Sequence, residues 1–75
     1  MTSLDDLNAR LLTLKIQLRQ VEGWRDDALK ASVDPTAQAP REQYLDDAAY
    51  LQGEAATIRA EIADLETRRR LLRGN

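Results

Sequence analysis

Residues 4–18 read LDDLNARLLTLKIQL, and residues 58–72 read IRAEIADLETRRRLL. In the first stretch Leu4, Leu7, Leu11, Leu14 and Leu18 step by three and four residues. In the second Ile58, Ile62, Leu65 and Leu72 do the same, with Arg69 between the last two. That spacing keeps one stripe of a helix apolar and is the seam pattern of a coiled coil. The two series mirror each other: Leu4 matches Leu72, Leu11 matches Leu65, Leu14 matches Ile62 and Leu18 matches Ile58. The numbers in every pair have the same sum, as they must in an antiparallel hairpin, where one helix counts up while the other counts down. Toward the middle of the chain the stripe continues through Val21, Arg25, Ala28 and Ser32, facing Ala55, Leu51, Ala48 and Tyr44. The expected fold is all-α: an antiparallel two-helix coiled-coil hairpin within one domain, 1–75. Its helices are expected at 3–32 and 41–73, with a linker at 33–40.

Local signals fit those limits. Ser3 is a good N-cap, and Asp5 and Asp6 suit the positive end of a helix dipole. Asp34-Pro35 ends the first helix, because the residue before a proline is pushed out of the helical region. Pro40 reads as a first-turn proline of the second helix, and Gly74 as its terminator. The seam is uneven. Its end near the chain termini is rich in Leu and Ile, whereas its loop half sets Val21 against Ala55 and Ala28 against Ala48. Leu29 and Leu45 are expected to meet near the loop and widen the core there.

A hairpin of this size has one seam and no third element to cover its back, and chains this short usually add disulfides, a metal or a partner. Cysteine and histidine are both absent, which removes thiol chemistry and the usual zinc ligand sets. No cofactor or metal is expected, and the acidic loop end is the weakest of the candidate sites. Paired aspartates at 5/6, 26/27 and 46/47 point about 100° apart on a helix and do not converge, so no enzyme is expected. No apolar run approaches the roughly 20 residues of a membrane span, and Met1-Thr2-Ser3-Leu4-Asp5-Asp6 does not read as a signal peptide. The expectation is a cytoplasmic protein without membrane contact.

Three surface features bear on function. Leu12 and Ile16 lie off the seam, level with Ala60 and Ala63 in a stripe of small residues, Ala49, Gly53, Ala56, Ala60 and Ala63. Alanine is also simply a good helix former, but a second apolar surface of this extent points to self-association, with a homodimeric four-helix bundle as the simplest closure. Trp24 and Tyr50 share another flank, with Asp27, Asp47 and Glu54 around them. Such aromatics dominate interface hot spots, so these five residues are the expected contacts for another protein. Alternatively, Trp24 folds over the thin alanine layers of its own hairpin.

Charge is segregated as well. Residues 20–55 hold eight acids and three bases, a net of −5; the rest hold five acids and eight bases, a net of +3, which together give the −2 of the whole chain. Two such rods favour lying antiparallel. The arginines at 68, 69, 70 and 73 suggest nucleic acid, but cations stabilise a helix C-terminus, and Asp5 and Asp6 are expected beside them. No aromatic residue is interleaved with them to stack bases. Lys15 and Arg59 fall side by side, a like-charge contact that an acid from a second chain could relieve unless both side chains splay into water.

In shape the chain resembles the small helical hairpins of type III secretion, the needle subunits and their co-chaperones. These join two helices by a short turn that often carries an Asn/Asp-Pro step, here Asp34-Pro35, with Gln43-Tyr44 opening the second helix. Small phage-encoded inhibitors share the format. The resemblance spans the whole chain, but fold analogy alone does not give function; the reading of the chain itself is action by binding, through occlusion, chaperoning or bridging. The functional expectation is a small protein–protein interaction module, an inhibitor, adaptor or chaperone-like protein. The alternatives are a nucleic-acid-associated regulator using the C-terminal arginines, or a structural subunit of a larger assembly.

Overall fold

The computed structural model describes residues 3–74; Met1, Thr2 and Asn75, and with them the ends of the expected 1–75 domain, lie outside the described residues. Two helices, α1 (Leu4–Ser32) and α2 (Arg41–Leu72), pack antiparallel along their length. They form a rod of 54 × 18 × 15 Å. No helix among the described residues is long and apolar enough to cross a membrane.

Each helix end has a local cause. The Ser3 hydroxyl accepts the Asp6 N–H at 3.1 Å, satisfying one of the orphan donors of the first turn of α1. At the far end, the Asp34 carboxylate accepts both the Thr36 N–H (2.8 Å) and the Thr36 hydroxyl (2.7 Å), while the Ala37 N–H donates to the Asp34 carbonyl. Pro35 thus occupies the second position of a β-turn, where its fixed φ is already correct. Pro40 stands one position earlier than expected: its ψ of 148° is extended, so it is the N-cap of α2 rather than a member of its first turn. It offers no side-chain acceptor. The linker is tied down instead by the Ala39 N–H, which donates to the Tyr44 hydroxyl at 3.3 Å. Gly74, at φ 76°, closes α2, its N–H returning to the Leu71 carbonyl. Only a residue without a Cβ enters that region at no steric cost.

The two hydrogen bonds from Thr36, the backbone one first, hold the Asp34 carboxyl below the ordinary aspartate range. The folded value lies below the unfolded one, so the turn's contribution is complete above the ordinary aspartate pKa and is lost as pH falls through the lower folded value. In an NMR titration the Thr36 amide shift should therefore move with a midpoint below that of a free aspartate. A midpoint at or above it contradicts the turn.

Burial follows the mirrored stripe. Every seam position is buried or half-buried except Leu72 in the outermost layer. Leu7, Leu11, Leu14, Ile62 and Leu65 form one apolar cluster, with Leu18 and Ile58 packed against it. That cluster lies wholly in the terminal half. In the loop half Ala48 and Ala55 are buried, and the seam's charged member, Arg25, turns outward to Gln52 (2.8 Å) and Asp26 (3.0 Å). Leu29 and Leu45 do not widen the core, contrary to expectation: both remain exposed. The seam between them is filled at that end by the buried Ala48 and Ala55.

Candidate interaction surfaces

Two ion pairs across the seam define the two flat faces of the rod. Arg10 reaches Glu61 at 3.3 Å on one face, and Arg59 reaches Glu22 on the other. Heptad steps carry each face along the helices. From Arg10 they lead to Trp24 and Ala31, and from Glu61 back to Glu54 and Asp47. From Glu22 they lead to Lys15 and Leu29, and from Arg59 to Gln52 and Leu45. The Glu22 pair also accounts for Arg59 beside Lys15: the relieving acid comes from the same chain.

The first face opens into a groove of about 520 Å³ over the loop half. Trp24, Asp27 and Ala31 of α1 face Tyr44, Asp47 and Tyr50 of α2 across it, with the seam residues Ala28 and Leu51 at its base. Small seam side chains leave the hollow, and aromatic rings flank it. Trp24 does not fold down to cover the alanine layers; it remains 56% exposed, and Tyr50 69%. Among the described residues Asp27, Asp47 and Glu54 take part in no ion pair. Of the expected contacts the structure brings Trp24, Tyr50, Asp27 and Asp47 together; Glu54 shares their face but does not line the groove. Tyr44 was missed because its spacing assigns it to the seam. The available signal was that all three aromatic residues of the chain fall within residues 24–50.

The second face carries Leu12, 63% exposed, and Ile16, 52% exposed, beside a shallow hollow of about 190 Å³ that they share with Lys15 and Arg19. Ala49, Gly53, Ala56, Ala60 and Ala63 are all exposed on α2. A Cβ added at Gly23 or Gly53 would meet nothing within 4 Å, so the packing of the hairpin requires neither glycine.

At the free end two of the four arginines are paired, and among the described residues no ion pair joins any of them to Asp5 or Asp6. Arg68 pairs with Asp64 at 3.2 Å, and Arg69 with Glu66 at 3.8 Å and with Asn8 across the seam. Leu7, Arg68, Leu71 and Leu72 enclose a further hollow of about 300 Å³, foreshadowed in sequence only by the exposed Leu71-Leu72 pair. No group of three or more acidic side chains among the described residues is placed to hold a metal ion.

No protein-family model, curated protein or solved structure matches this chain.

Proposed function

We propose that this chain is a protein–protein interaction module with no chemistry of its own, an inhibitor, adaptor or chaperone-like protein that acts by occupying or bridging a larger partner. It self-associates into a four-helix bundle through the face of Leu12, Ile16 and the small-residue stripe. The aromatic groove on the opposite face receives the other protein. The observation that carries the reading is the groove itself: Trp24, Tyr44 and Tyr50, every aromatic residue of the chain, line one open hollow with two carboxylates that take part in no ion pair among the described residues. Rigid aromatic side chains bury much area with few rotors, which is why they dominate interfaces. The exposure of Trp24 and Tyr50 leaves that area available to a partner.

The test compares the parent chain with a Trp24→Ala/Tyr50→Ala variant whose helix content is confirmed. A protein captured by the parent and purified should shift the emission of Trp24, the only tryptophan. Hot-spot truncations cost on the order of 2 kcal/mol or more each, so the variant's affinity should fall at least about thirtyfold. Equal binding by parent and variant, or an unmoved Trp24 emission, contradicts the assignment of the groove.

A further inference from the structure

Six residues of α1 on the second face, Leu12, Lys15, Arg19, Glu22, Asp26 and Leu29, step by three and four and read apolar, basic, basic, acidic, acidic, apolar. Turned end for end, the stripe complements itself. Leu12 meets Leu29, Lys15 meets Asp26 and Arg19 meets Glu22, each pair centred on the same point between Gln20 and Val21. Like charges never face each other. We infer that this face docks a second copy of the chain antiparallel about a two-fold axis at that point, α1 on α1 and α2 on α2. The inference rests on the self-association proposed above and gives it a register.

α2 supplies an independent check. Part of its small-residue stripe is symmetric about Ala56: Ala49 and Ala63 stand at equal distances and Glu42 stands opposite Arg70, whereas Gly53 and Ala60 fall opposite Arg59 and Gln52. The mirrored seam sets Val21 level with Ala55, hence Gln20 level with Ala56. The two helices therefore place their separate centres of symmetry at the same height on the rod, to within about one residue, or ~1.5 Å. Nothing within a single hairpin requires that agreement. A two-fold contact does, because one axis must serve both helices.

The side chains fit the same arrangement. Lys15 and Arg19 have no ion-pair partner among the described residues. Docking supplies Asp26 and Glu22 of the second copy, the latter already held in place by Arg59. Leu12 and Leu29, exposed in the single hairpin, cover each other at both ends of the stripe. In this register Gly23 comes level with Leu18 of the second copy, two residues along from its Ile16. An exposed helix-interior glycine costs about 1 kcal/mol against alanine, and the absence of any intrachain neighbour at its Cβ position leaves an approaching chain as its reason.

Charge reversal tests the register. Lys15→Glu and Asp26→Lys lie on the exposed face; the second also removes the Asp26 partner of the seam residue Arg25, so each variant's helix content is compared with the parent's first. Each alone sets like charges opposite one another twice per dimer and should weaken the dimer about tenfold or more, in line with surface pairs of up to ~1 kcal/mol each. Mixed one to one, the two variants should form a heterodimer near native affinity, because both contacts are then complementary. The double variant Lys15→Glu/Asp26→Lys should recover likewise. Sedimentation equilibrium reads all four, with circular dichroism confirming the fold. A dimer indifferent to either reversal, or a mixture that fails to recover, overturns the register while leaving self-association standing. A native chain that remains monomeric throughout overturns both.

Discussion

Leu14→Asp should abolish the cooperative thermal transition of this chain. Leu14 is 2% exposed, within the cluster it forms with Leu7, Leu11, Ile62 and Leu65. Removing a buried leucine side chain costs about 2–5 kcal/mol through lost transfer energy and the cavity left behind. A carboxylate in its place adds a desolvation penalty of several kcal/mol, which no cation in the cluster offsets. Domains are stable by only about 5–15 kcal/mol, and a chain with one seam belongs at the low end of that range. Thr13→Asp is the control, one residue away and exposed; surface changes of that kind stay within about 0.5 kcal/mol. Circular dichroism melts of the two should differ completely. Cooperative melting of Leu14→Asp near the parent temperature contradicts the register of the seam.

Ala55→Leu should destabilise by about 1–3 kcal/mol, although it adds apolar surface in a helix that favours leucine. Ala55 is 0% exposed and faces Val21 in the seam. Its methyl group sets how closely the helices approach in the loop half, and three extra carbons must either push them apart or leave their rotamer wells. The melting temperature should fall by several degrees, since 1 kcal/mol shifts a domain of this size by about 4–8 °C. Thr57→Leu, two residues on and exposed, should leave it nearly unchanged. A stabilised Ala55→Leu would mean that the loop half holds an empty space rather than a close contact.

The seam was legible because burial there depends on a repeating pattern that many residues vote for together, so an interruption at Arg25 or Arg69 did not obscure it. Individual side chains were less legible. Pro40 is compatible with the N-cap and with the first turn alike, and only its ψ decides between them. Leu29 and Leu45 share a face, but whether they meet depends on a helix separation set by Ala48 and Ala55. The like-charge contact of Lys15 with Arg59 dissolves because Arg59 reaches Glu22, about two turns beyond Lys15 on α1. Tyr44 has a double identity: its ring lies at the end of the seam and also forms a wall of the groove. Spacing places a residue on a face, and the small neighbours at the base of the groove decide how much of its ring remains accessible.

The rod is proposed to work through two faces, one of them docking a second copy. Sedimentation equilibrium of the native chain across a wide concentration range, at low and high salt, tests that most directly. The predicted result is a single species of twice the chain mass that dissociates on dilution, and at higher concentrations as salt screens Lys15 from Asp26 of the second copy. A species of one chain mass at every concentration would contradict it, and would leave Leu12, Ile16 and the alanine stripe without a partner.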